Sequence, residues 1–196
     1  MKKFVVGLLL MVIIVDMFCP SEAWLRRRRR RRTQRCNILA KHNGWDNHFD
    51  GDLKFKCPAG EAIRNFQSTY LGCAKDRAFG FHCSSNKYTK KMGSCSWSSY
   101  ANSWDQPLVY TCPNHGVLAG VESVHHNHYE DRRFKFYCCH SRLYHANFCK
   151  TSGYVNDWRS NMNFWAPWNR FIVGAISFHT NSQEDRRWRF KYCQVY

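Results

Sequence analysis

The chain has no Cys-x-x-Cys pair, no Asn-x-Ser/Thr sequon and no apolar run long enough to span a bilayer. The first absence removes the usual chelating pair of a structural zinc site, and the second removes N-glycosylation. A membrane-crossing helix takes about 20 apolar residues, whereas the longest apolar stretch, residues 4–15, is about a dozen. Gly-x-Ser-x-Gly, His-Glu-x-x-His and a glycine-rich phosphate loop are also missing, so the common hydrolase, metalloprotease and nucleotide-binding chemistries have no foothold. The chain reads as a non-enzyme with no cofactor and no metal, and nucleic acid is not an expected partner. No stretch of a dozen residues carries helical periodicity free of Gly or Pro, which argues against a helical domain. Acidic residues are few, 14 against 30 Lys plus Arg, for a formal net charge of +16.

What is present begins with an export signal. Residues 1–23 combine Lys2 and Lys3, the short apolar stretch, and small residues at Ser21 and Ala23, the pattern of a cleaved secretory signal. Residues 24–35 are arginine-rich, with an unbroken run at 26–32. That run admits a processing site, an arm that binds polyanions, or a solvated arm without a role. With residues 1–32 removed the remainder stays strongly basic, so an anionic partner is expected in each case. Of 11 cysteines, Cys19 falls in the signal. The even remainder in an oxidising compartment reads as a disulfide framework.

The dominant feature is a repeated phrase: Asp76-Arg77-Ala78-Phe79-Gly80-Phe81, Asp131-Arg132-Arg133-Phe134-Lys135-Phe136 and Asp185-Arg186-Arg187-Trp188-Arg189-Phe190. The phrases lie 55 and 54 residues apart, and the same shifts align Trp45 with Tyr100 and Tyr154, Phe55 with Tyr110 and Phe164, and Ser68 with Ser123 and Ser177. A period of that length means one structural unit used three times, each unable to bury its apolar face alone. The units run over about 43–95, 96–149 and 150–196, within a domain taken as 36–196. Cys57 and Cys112 align, but the third unit has Ala166 there. Cys193 therefore needs a different partner, and Cys149 is the nearest candidate. Cys36 and Cys73 are unmatched and form a reasonable pair.

Runs such as Leu53-Lys54-Phe55-Lys56-Cys57 and Phe134-Lys135-Phe136-Tyr137-Cys138 alternate apolar and polar residues, the mark of half-buried strands. The expected fold is all-β, three disulfide-stapled units closed around a pseudo-threefold axis. It is read as β-prism-like, with a β-trefoil as the alternative, because closure removes exposed strand edges.

Asp76, Asp131 and Asp185 open their phrases at the end of a loop. There the carboxylate can bond turn N–H groups, while Arg77, Arg132 and Arg186 pack their stems and pair with carboxylates. The functional alternative is a trio of sites presenting these arginines beside aromatics to sulfated sugars or acidic proteins. In the loop His125-His126-Asn127-His128-Tyr129-Glu130, three histidines and a carboxylate are close in sequence. The corresponding loops, 69–75 and 178–184, hold one histidine between them, so an exposed loop is expected there, not a metal site.

The triple phrase ending in cysteine, the turns Phe55-Lys56-Cys57-Pro58-Ala59-Gly60 and Tyr110-Thr111-Cys112-Pro113-Asn114-His115-Gly116, and the Cys138-Cys139 doublet together resemble the dermatopontin family. The resemblance spans about residues 43–193. It implies a secreted, disulfide-bonded extracellular-matrix or cell-adhesion protein. Expected partners are sulfated glycosaminoglycans or proteoglycans, collagen or other matrix proteins, and cell surfaces. The family also includes invertebrate agglutinins and cnidarian cytotoxins, which makes a venom component stored in nematocysts the alternative. Carried onto matching positions, the family's bridges pair Cys57 with Cys83, Cys95 with Cys138, Cys112 with Cys139, and Cys149 with Cys193.

Overall fold

The computed structural model describes residues 44–196. The expected signal, the arginine-rich segment and Cys36 lie outside the described residues. Strands β1 (Leu53–Lys56), β2 (Ala62–Leu71) and β3 (Asp76–Ser84) come from the first unit. β4 (Ser94–Trp97) spans the junction with the second unit, which supplies β5 (Leu108–Thr111), β6 (Val117–His126) and β7 (Asp131–His140). β8 (Ala146–Thr151) spans the next junction, and the third unit supplies β9 (Met162–Trp165), β10 (Arg170–Thr180) and β11 (Asp185–Val195). The described residues are all-β, as their period-two alternation predicts; among them a single 3-10 turn, Thr89–Lys91, interrupts the strands.

Each unit builds an antiparallel hairpin, β2–β3, β6–β7 or β10–β11, and then gives its short first strand away. β1 pairs with β6, β5 with β10, and β9 with β2. The resulting sheets, β3-β2-β9, β1-β6-β7-β4 and β5-β10-β11-β8, each mix strands from two units, and the exchange closes in a cycle. The long central strands bulge at equivalent places, between Ile63 and Asn65, Leu118 and Gly120, and Ile172 and Gly174. A bulge adds local twist and bends the strand. Here it lets the exchanged strand cross close to the backbone.

The core is aromatic. Phe79, Phe134 and Trp188, equivalent residues of the three phrases, are at most 1 % exposed. They meet edge to face with centroids 5.8, 5.1 and 6.1 Å apart, the arrangement ring quadrupoles favour. Phe66, Phe136 and Phe190 extend the same cluster.

The four disulfides within the described residues fall into two kinds. Cys57–Cys83 and Cys112–Cys138 tie an exchanged strand back to its own hairpin; Cys95–Cys139 and Cys149–Cys193 join neighbouring strands of one sheet. Cys73 is also disulfide-bonded. The family-derived pairings Cys95–Cys138 and Cys112–Cys139 are therefore corrected. Cys95 lies directly opposite Cys139 in the β4–β7 ladder, whereas Cys138 faces the interior cluster that contains Cys112. Adjacent strand residues point to opposite faces, so the doublet can serve both kinds of bridge only this way round.

Candidate functional site: an ion-pair cycle and two cationic faces

The three Asp-Arg pairs meet in one cycle. Arg132 forks onto Asp76 through Nε and Nη2 at 2.7 and 2.6 Å, Arg186 onto Asp131 at 2.6 and 2.7 Å, and Arg77 onto Asp185 at 2.6 and 2.8 Å. Each arginine thus bonds the aspartate of the unit before it, and the first closes on the third. All six residues are 3–5 % exposed. Planar bidentate pairing satisfies the fork geometry that burial demands.

Further bonds saturate the carboxylates. Backbone N–H groups of Asp50, Asp105 and Arg159 donate to Asp76, Asp131 and Asp185 at 2.8, 2.8 and 2.6 Å. These three donors sit in the left-handed region, with φ of 60, 59 and 58°. Burial alone would raise the Asp76 carboxyl; the charge and hydrogen bonds of Arg132 outweigh it and hold the group below the ordinary carboxylate range.

This geometry corrects one sequence expectation. Arg77, Arg132 and Arg186 with Asp76, Asp131 and Asp185 were candidates for outward display to a ligand. Their charged ends instead turn inward and neutralise one another. Lys75, Glu130 and Glu184 stand over the cycle, with Lys75 Nζ 3.7 and 3.6 Å from the two glutamates. The cavity left beneath them is only about 20 Å³, room for roughly one water. The cycle is a polar plug between the units.

Sequence reasoning missed Asn47, Asn102 and Asn156, all buried. Each donates from Nδ2 to the carbonyl of the phrase arginine and accepts from the N–H two residues on, at Phe79, Phe134 or Trp188. They pin the outer edge of each hairpin where no strand pairs. The same 55 and 54 residue shifts that exposed the phrase align them.

Beside the cycle, His125 has Nδ1 3.7 Å from Asp50 and Nε2 3.9 Å from Asp76, while His179 Nδ1 is 3.4 Å from Asp105. Both imidazoles are 0–1 % exposed. The groups Asp50–Asp76–His125 and Asp105–Asp131–His179 each bring three potential ligand atoms within 4.8 Å of one another. In each, however, one carboxylate is already forked by an arginine, so a cation would sit against a guanidinium. At the third seam Tyr70 and Arg159 replace the histidine and the aspartate. The rest of the histidine loop is exposed as expected, with His126, His128 and Tyr129 clustered and Trp104 stacked on Tyr129.

The cations that do face outward are the alternate residues of the same phrases. On β7, Arg133 lies 3.8 Å above the Tyr100 ring and 5.2 Å from Trp104, and Lys135 lies 4.7 Å from Tyr100. On β11, Arg187 lies 4.0 Å from Tyr154 and 5.9 Å from Trp158, with Arg189 5.8 Å from Tyr154. Arg187 and Arg189 donate from Nε to the carbonyls of Asn156 and Ser152 at 3.1 and 3.0 Å, and Arg187 Nη2 lies 3.4 Å from the exposed Asp157 carboxylate. Stacking and anchoring hold these side chains extended, so less rotamer freedom is lost when a ligand binds. In the first unit Ala78 and Gly80 occupy the corresponding positions, and among the described residues no cationic pair forms on that face.

An all-β chain of exchanged units, disulfide-bonded and with basic aromatic faces, has the build of an extracellular binding protein. The Dermatopontin family profile matches residues 47–196, and the chain belongs to the dermatopontin family. It is 36 % identical over 161 residues to the hemagglutinin/amebocyte aggregation factor of Limulus polyphemus, covering 81 % of this chain and 92 % of that one. It is 40 % identical over 140 residues to a dermatopontin of Biomphalaria glabrata, covering 71 % and 93 %. Millepora cytotoxin-1 of Millepora dichotoma is 34 % identical over 155 residues, covering 79 % and 68 %. No solved structure matches the chain.

Proposed function

We propose that the protein is a secreted adhesion or matrix protein that holds sulfated glycosaminoglycans on the outer faces of β7 and β11. The observation that carries this reading is the paired, ring-stacked cations, Arg133 with Lys135 and Arg187 with Arg189. Residues i and i+2 of a strand are about 6.5–7 Å apart on one face, a spacing that sets charges along an extended polyanion. Each face also carries one carboxylate beside its two cations. Glu122 lies opposite Lys135 in the ladder and 3.7 Å from Lys54, and Asp157 lies 3.4 Å from Arg187 Nη2. The cations outnumber the carboxylate on both faces. Membership of the dermatopontin family supports the extracellular setting.

Heparin affinity chromatography tests the proposal. The chain is expected to elute well above about 0.15 M salt. A variant carrying Arg133→Ala, Lys135→Ala, Arg187→Ala and Arg189→Ala is expected to elute near or below that concentration. Unchanged retention of the fourfold variant would remove these faces as the site.

A further inference from the structure

We infer that the sheet β3-β2-β9, built from the first and third units, carries a binding groove for a neutral pyranose, distinct from the two cationic faces and independent of their function. The groove, about 340 Å³, is lined by Trp45, Gln67, Thr69, Asn161 and Asn163, with Ser68 and Met162 at its floor. That volume falls within the ~300–1,000 Å³ range of small-molecule sites.

The internal repeats provide the control. The positions equivalent to Gln67 are Glu122 and Ile176; those equivalent to Thr69 are Val124 and Phe178; those equivalent to Asn163 are Lys54 and Val109. What is charged or apolar in the other units is a neutral amide or hydroxyl here. The outward cations are gone as well, since Ala78 and Gly80 replace Arg133 with Lys135 and Arg187 with Arg189. A lining without charge offers no counter-charge to an anion or a metal ion. A lining of amides beside one indole suits a ligand with hydroxyl groups around its rim and C–H groups on its face.

The amides are also oriented. Asn65 donates from Nδ2 to Asn163 Oδ1 at 2.7 Å, and the Thr69 hydroxyl donates to Asn161 Oδ1 at 2.8 Å. With both carbonyl oxygens engaged from within, the Nδ2 groups of Asn161 and Asn163 keep their hydrogens for a ligand's hydroxyl oxygens. Trp45 packs on Gly80: a Cβ at that position would stand 3.2 Å from the indole Cε3 and 3.0 Å from Gln67 Nε2. Glycine is thus what lets the ring settle as a wall of the groove beside Gln67, which offers both a donor and an acceptor.

Saturation-transfer NMR on the full chain with the methyl glycosides of glucose, galactose, mannose and N-acetylglucosamine is the test. At least one is expected to bind in the millimolar range and to shift the indole N–H resonance of Trp45. Asn163→Asp keeps the shape and the bond from Asn65 but turns an outward donor into an acceptor, so it is expected to weaken binding roughly tenfold; heparin retention should stay as it was. Trp45→Ala should abolish binding. The inference is overturned if none of the four glycosides binds at up to roughly 0.1 M, some hundredfold above a millimolar Kd. It is overturned equally if Asn163→Asp binds as the parent does, or if a heparin oligosaccharide displaces the sugar.

Discussion

Asp50 shows how a single residue bears the cost of a seam. Burial first, then the charges of Asp76 and Glu130, push its carboxyl from 3.8 up to about 6, with Arg132 opposing. The fold therefore prefers this group protonated. Its contribution is fully favourable below the unfolded value near 3.8 and is lost as pH rises through about 6. Asp50→Asn removes that ionisation, and asparagine tolerates the φ of 60° found there. The variant is expected to be more stable than the parent at pH 8 by about 1 kcal/mol, the shift discounted for partial exposure. The gain should fade as pH falls from 6 to 4, and urea midpoints at pH 8 and pH 4.5 would show it. His125, whose pKa burial lowers against the pull of Asp76, works in the opposite sense: its contribution is present above 6.5 and lost as pH falls through its folded value. None of this was legible in the histidine loop, because sequence places His125 near carboxylates of other units only once the strands have exchanged.

At the scale of strands, alternation correctly identified the half-buried runs but could not name their partners. Period two tells which face a residue takes, not which unit supplies the neighbouring strand, and so the exchange of β1, β5 and β9 was invisible. The crossing itself is set by backbone contact. A Cβ on Gly120 would stand 2.7 Å from the Phe55 carbonyl oxygen, and one on Gly174 would overlap the Tyr110 carbonyl oxygen. Gly174→Ala is expected to destabilise the protein by about 3 kcal/mol through overpacking against a strand that has no room to retreat. Gly153→Ala, whose Cβ would have nothing within 4 Å, is the matched control. Equilibrium urea denaturation of both separates steric overlap from the general effect of losing a glycine. The doublet was more legible than the family pattern made it: the spacing from Cys57 to Cys83 is 26, and the same interval from Cys112 arrives at Cys138.

For the whole molecule, the phrase announced three units, and its Asp-Arg pairs do lie at equivalent places. Their direction was the part sequence could not fix, since a surface trio and a buried cycle need the same residues at the same spacing. Burial makes the cycle unforgiving. Arg132→Ala leaves the Asp76 carboxylate without its counter-charge and is expected to cost about 3–5 kcal/mol. Combining it with Asp76→Ala should cost clearly less than the two single losses added together, because the double variant strands neither charge. Denaturation of the two single variants and the double variant measures that coupling. Fully additive losses would mean the pair is not acting as one unit.

The same cycle limits how the gene can change. Each arginine bonds the aspartate of the preceding unit, and the central space is already filled by Phe79, Phe134 and Trp188. Two copies would leave the ring too small to enclose that trio, and four would open a void at its middle. Unlike solenoid repeats, which lengthen one copy at a time, this unit has a fixed copy number. Descendants of the chain are free to diversify the outer faces of each copy separately, one neutral and two basic here, while the count stays at three.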